Sequence, residues 1–235
     1  MTEPSDAAAF RLGYVPGVTP GKWVRIWAER CPHVPLELVM ATTDEAVELI
    51  RTGAVDAAVL RLPIDRTGLH TIQLYTETTV AVVPKEHPVT ATEEATVADL
   101  ADEIVLHPQD DTLAWPGDRP GRAAAFTPAT TAEAIELVAA GVGLLVVPQS
   151  LARLHHRRDL VYRPLTDAPG SGVGLAWPDA ETTELMEEFI GIVRGRTVNS
   201  SRTPRRDGGP APGRPALTKK SVARRPSARR GAHRR

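Results

Sequence analysis

Phe10-Arg-Leu-Gly-Tyr-Val-Pro-Gly-Val-Thr-Pro-Gly-Lys-Trp23 opens the patterned part of this chain as a short apolar run, a turn on Pro16 and Gly17, and the start of a helix. Apolar residues return at Trp23, Ile26 and Trp27, the i, i+3, i+4 spacing that packs one helix face on a sheet. Thr19 stands where an N-cap is expected and Pro20 at the first helical position. A comparable hand-over recurs later, with the strand Ile104-Val-Leu106 and a helix start at Thr130-Thr131. The first N–H groups of a helix lack partners within it, so such ends hold carboxylates without any catalytic residue. The pattern points first to a receptor for a small polar molecule.

Outward from that segment, strand signals and amphipathic helices alternate, which predicts an α/β fold with largely parallel strands. A strand near Leu36–Met40 leads into Thr42-x-x-Glu45, a capping box, with Ala46, Leu49 and Ile50 on one stripe and Gly53 as the stop. Val55-Asp-Ala-Ala-Val-Leu60 follows as a strand buried on both faces. Thr78-Thr-Val-Ala-Val-Val-Pro84 leaves this first lobe. In a second lobe, Thr130-x-x-Glu133 repeats the capping box, Ala134, Leu137, Val138 and Gly141 repeat the stripe and stop, and Gly143–Pro148 is the next buried strand. The chain is expected to return near Leu160–Leu165, add the strand Gly172-Val-Gly-Leu-Ala-Trp177, and end in a helix capped by Asp179. The expected domains are residues 10–82 with 164–196 as lobe I, 83–163 as lobe II, and 197–235 as a tail. Two connections between lobes make a hinge.

Charge divides the same way. Residues 197–235 hold 12 Lys/Arg against the single Asp207, a net of +11, whereas residues 1–196 hold 16 Lys/Arg against 28 Asp/Glu, a net of −12. The tail carries five prolines, four glycines and no aromatic residue, a composition that cannot bury enough surface to offset ordering entropy, so it is expected to be disordered. Lys219, Lys220, Arg224, Arg225, Arg229 and Arg230 are its candidates for non-specific nucleic-acid contact by counterion release. The lone Cys31 excludes an internal disulfide framework and suits a reducing interior. The polar, acidic start Met1–Asp6 does not read as a signal peptide, and no apolar run approaches about 18 residues, so a cytoplasmic location without membrane contact is expected.

Several tempting motifs fail on detail. Gly17-Val-Thr-Pro-Gly21-Lys22-Trp23 has three residues between its glycines rather than the four of a phosphate loop, and Trp23 replaces the magnesium-holding hydroxyl. Gly141-Val-Gly143 follows a helix and precedes a strand, the reverse of dinucleotide-binding order. Gly170-Ser-Gly-Val-Gly174 lacks the strand-to-helix setting of a nucleophile elbow. Adjacent His155 and His156 point apart on a helix and read as a solvated surface pair. No cofactor is called for. Arg61 stands either at the edge of a cleft or in a surface ion pair, and Trp115 either walls a pocket or covers the second lobe's own core.

Four pieces in order carry a resemblance: Leu12-Gly-Tyr-Val-Pro16; Gly53-Ala-Val-Asp56-Ala-Ala within Ala46–Leu62; Val80-Ala-Val-Val-Pro-Lys-Glu-His87-Pro88; and Leu137-Val-Ala-Ala-Gly-Val-Gly143-Leu-Leu-Val-Val-Pro148. Over residues 10–196 the chain resembles the effector-binding (substrate-binding) domain of LysR-type transcriptional regulators. The resemblance implies a two-lobed type 2 periplasmic-binding-protein-like (Venus-flytrap) fold. It also implies a small-molecule effector between the lobes, a role in transcriptional regulation, and association as a homodimer or with a full-length regulator. By position it implies that Pro16, Gly17, Val18, Thr19, Thr43, Arg61, Trp115 and Thr131 line the cleft. Family members begin with a helix-turn-helix, and fewer than ten residues precede the first strand here, so any DNA contact is expected to come from the tail or a partner. A non-catalytic sensor binding an anionic metabolite is the leading expectation. The alternatives are an enzyme on the same scaffold, like those of the menaquinone pathway, with only Asp110, Asp111 and His107 as candidate acids or bases, and a tail-driven nucleic-acid binder.

Overall fold

A computed structural model of the chain describes residues 9–196; the expected tail and its candidates, Lys219 to Arg230, lie outside the described residues. In chain order the elements are β1 (Phe10–Tyr14), α1 (Gly21–Arg30), β2 (Leu36–Met40), α2 (Thr43–Arg51), β3 (Ala57–Leu62), β4 (Leu69–Glu77) and β5 (Thr79–Pro84). There follow β6 (Ile104–Leu106), β7 (Arg122–Ala123), α3 (Thr131–Ala139), β8 (Leu144–Pro148), α4 (Gln149–Leu154), β9 (Leu160–Pro164), β10 (Ser171–Pro178) and α5 (Glu184–Val193). They build two five-stranded sheets, ordered β2-β1-β3-β10-β4 and β7-β6-β8-β5-β9.

Both sheets are mixed rather than largely parallel. β2, β1 and β3 run parallel, as do β7, β6 and β8. β10 is antiparallel to both its neighbours, and so is β5. The cause is the connectivity. β4 passes into β5 through Thr78 alone, and β9 leads back to β10, so β5 and β10 enter their sheets at the end where the parallel strands finish. The two passes bind each other, Leu165 N–H donating to Thr79 O at 3.0 Å and Thr79 Oγ1 to Pro169 O at 2.5 Å. Residues 79–82 and Pro164 therefore lie in the second sheet, not in lobe I where the expected boundaries put them.

β8 shows why a continuous apolar run makes a strand here. Leu145 and Val147 pack with Ala134, Ile135 and Val138 of α3 on one face, while Leu144 and Val146 pack with Leu100 and Leu113 on the other. Each successive side chain meets a covered face, so alternation with polar residues is absent. In the first lobe one core joins both faces of the sheet, and a triad of Phe10, Trp27 and Phe189 docks α1 and α5, with ring centroids 4.6 Å apart for Phe10–Trp27 and 5.2 Å for Phe10–Phe189. No helix among the described residues is long and apolar enough to cross a membrane.

Two expected caps are displaced. α1 starts at Gly21 after Pro20 with no side-chain cap, and Thr19 is exposed. α5 is capped by Thr183, whose hydroxyl accepts from Met186 N–H at 3.2 Å. Asp179 is occupied elsewhere: its N–H donates to Gly68 O and its carboxylate meets His70 at 2.9 Å, which ties it to the end of β10.

Candidate functional site

The helices α2 and α3 come from different sheets, yet their first turns line one cavity of about 890 Å³. At α2, Thr42 Oγ1 accepts from Glu45 N–H at 3.3 Å, and the Glu45 carboxylate accepts from Thr42 N–H at 2.8 Å, a closed capping box. At α3, Thr130 Oγ1 accepts from Glu133 N–H at 3.1 Å, while the Glu133 carboxylate reaches back to Ala129 N–H at 2.7 Å instead of Thr130. Each cap takes the third amide of its helix and the fourth closes the first helical bond, so the amides of Thr43 and Asp44, and of Thr131 and Ala132, stay at the open ends. All four residues line the cavity. Two positive dipole ends thus converge on one space.

The remaining wall is amphipathic. Val15, Pro16, Met40, Leu62, Pro63, Leu151 and Leu154 supply apolar surface. Gln109, Asp110, Asp111 and Thr112 supply polar groups beside α3. Thr131 Oγ1 donates to Asp110 Oδ1 at 2.9 Å, which fixes the hydroxyl at the cavity edge. The side chain of Asp111 is only 5% exposed and lies 3.6 Å from Arg119. Burial pushes its carboxyl up from the usual range, against the pull of the Leu113 N–H bond and the Arg119 charge. Burial and the same Arg119 charge push the neighbouring His107 down.

Arg61 lies at the cavity wall, and its guanidinium is already engaged. Nη1 donates to Glu77 Oε2 at 3.1 Å and to Ser171 Oγ at 2.9 Å; Nη2 donates to Ser150 Oγ at 3.0 Å and to Pro16 O at 3.3 Å. It is 3% exposed. Arg61 therefore lies at the cavity and in an ion pair at once, the pair being buried rather than at the surface, and the residue shapes the wall as a partnered group.

Of the expected cleft residues, the structure brings Pro16, Thr43, Arg61 and Thr131 together at the cavity. It does not bring Gly17, Val18, Thr19 or Trp115 to it. Gly17 turns at a φ of +87° behind Pro16, Val18 is buried in the first lobe's core, and Thr19 faces solvent. Trp115 packs on the second lobe's own core with Leu113. His155, expected at the surface, lines the cavity, while His156 is exposed as expected. Sequence reasoning missed Glu77 and Ser150. Their one signal was position: a carboxylate at the end of a strand-like run, and a hydroxyl just after the buried strand ending in Pro148.

Residues 6–197 match the family model described as the LysR substrate binding domain. The chain belongs to this family. Among curated relatives, this LysR substrate-binding domain is 28% identical over 198 residues to the HTH-type transcriptional regulator AlsR of Bacillus subtilis, covering 79% of the chain and 64% of AlsR. It is 27% identical over 207 residues to a probable hydrogen peroxide-inducible genes activator of Mycobacterium avium, covering 82% of the chain and 66% of that protein. The chain thus spans a little under two thirds of the length of these relatives. Among solved structures, the BenM effector binding domain with its effector benzoate aligns with a TM-score of 0.68 at 22% identity, over 80% of this chain and 91% of that one. The oxidised form of OxyR aligns with a TM-score of 0.67 at 22% identity, over 81% and 97%. These likenesses establish the two-lobed type 2 periplasmic-binding-protein-like fold.

Proposed function

We propose that this LysR substrate-binding domain takes a small carboxylate with an apolar body between its two lobes, without transforming it, and acts in transcriptional regulation in the cytoplasm. The observation that carries the reading is the pair of capped helix starts, α2 and α3, with free amides at Thr43, Asp44, Thr131 and Ala132 on one cavity. The carboxylate sits against these amides, and Met40, Leu62, Leu151 and Leu154 receive the apolar body. Because the amides belong to different lobes, a bound ligand favours whichever lobe angle lets both ends reach it. The shift it produces equals its differential affinity for the two arrangements. A second copy of the chain, or a full-length regulator, is the partner that reads out that shift.

Asp44, Asp110 and Asp111 at the same end favour one second reading, a ligand that carries an ammonium beside its carboxylate. A thermal-shift panel separates the two. Benzoate, the effector named for the similar BenM domain, and other aryl and alkyl carboxylates form one arm, and apolar α-amino acids the other. A true ligand at about 100 times its dissociation constant stabilises by roughly 2.7 kcal/mol, a rise of about 5–10 °C for a domain of this size. A flat response in both arms refutes the proposal, and a response in the amino-acid arm alone selects the second reading.

A further inference from the structure

We propose that Ser150 is a latch that holds the two lobes at their observed angle through the Arg61–Glu77 pair. Arg61 on β3 and Glu77 at the end of β4 belong to the first sheet, whereas Ser150 belongs to α4, which follows β8 of the second. Ser150 Oγ accepts from Arg61 Nη2 at 3.0 Å and donates to Glu77 Oε2 at 2.7 Å, so one hydroxyl serves both members of the ion pair. Among the described residues it is the one side chain of the second lobe that hydrogen-bonds to side chains of the first. The pair it grips is buried, with side chains 4% and 10% exposed, and hydrogen bonds to charged groups in such surroundings are stronger than neutral ones.

Gly17 is the second observation. A Cβ on Gly17 would lie 2.5 Å from Ser150 Oγ and 3.1 Å from Arg61 Nη2, and the residue sits at a φ of +87°. A side chain there would occupy the space Ser150 uses to reach the pair. The β1–α1 turn, the end of β3, the end of β4 and the start of α4 therefore meet at one hydroxyl. The latch also shares a wall with the cavity, because Pro16, Arg61 and Leu151 border it. Loosening Ser150 changes the lobe angle first and the cavity with it. The inference concerns the lobe contact and stands whether or not the cavity takes a carboxylate.

Hydrogen–deuterium exchange on the full, ligand-free chain tests it. Ser150→Ala keeps α4 and leaves the Arg61–Glu77 pair intact, and Gly17→Ala keeps the hydroxyl but crowds it out. Both variants should speed amide exchange by about tenfold to a hundredfold at residues 15–18 and 149–154, the scale set by the two charge-assisted hydrogen bonds of Ser150. Protection in the β3 and β8 cores should stay at the wild-type level. Wild-type exchange at both turns in both variants overturns the proposal. Uniform acceleration through β3 and β8 overturns it equally, since Ser150 would then support the fold rather than the lobe contact.

Discussion

Replacing Glu77 by Ala leaves the Arg61 guanidinium buried without its counter-charge. At 3.1 Å the pair's gross attraction is about 5 kcal/mol at an effective dielectric of about 20. Removing one partner of a buried pair costs about 3–5 kcal/mol in general. Arg61 keeps its bonds to Ser171, Ser150 and Pro16 O, which holds the cost near the lower end, about 3 kcal/mol. For a domain of this size that is a fall of roughly 6–12 °C in Tm. Urea unfolding followed by tryptophan fluorescence measures it directly. Arg61→Met combined with Glu77→Leu removes both charges, and should be less damaging than Glu77→Ala alone because no uncompensated charge remains. A loss below about 1 kcal/mol for Glu77→Ala, or a double variant worse than that single one, refutes the assignment of the pair as a buried, mutually dependent unit.

Phe189→Ala should cost about 3–5 kcal/mol by urea titration, because it empties a fully buried site against Phe10 and Trp27. Thr43→Pro, which removes one of the open amides at a first helical position that tolerates proline, should weaken carboxylate binding about tenfold in a calorimetric titration, while Thr19→Val leaves it unchanged, since Thr19 does not border the cavity. Glu45, Asp65 and Asp99 are held below their ordinary values by backbone N–H bonds from Thr42, Thr67 and Thr96, and Asp159 by the Arg157 side chain. Depressed folded values stabilise fully above the ordinary 4.5 of Glu45 and 3.8 of the aspartates, and that stability is lost as pH falls through the depressed ones. Asp111, raised by burial, works in the opposite sense, so Asp111→Asn should raise Tm at neutral pH and have little effect in acid.

Much of the fold was legible because it rests on local periodicity. The strands β1, β2, β3 and β8, the capping box at Thr42 and Glu45, and the stops at Gly53 and Gly141 are short-range patterns that a packed sheet preserves. The directions of β5 and β10 were not legible. They depend on where the chain crosses between sheets, and nothing in the composition of Thr78–Pro84 or Gly172–Trp177 says from which end a strand enters. The caps at Thr19 and Asp179 failed for a related reason: a hydroxyl or carboxylate caps only if the local turn delivers it, and the Asp179 carboxylate is held by His70 while its N–H bonds Gly68 O.

The candidate site divides along the same line. By itself the amino-acid order determined that two helices would begin with exposed amides and threonine caps, since a cap is made within a few residues. That Thr43 and Thr131 share one cavity, that Arg61 is claimed by Glu77, and that Ser150 reaches across to both were decided only by tertiary structure. Those contacts join residues 16 to 89 positions apart, and they form only when two sheets place one hydroxyl and one ion pair within hydrogen-bond reach.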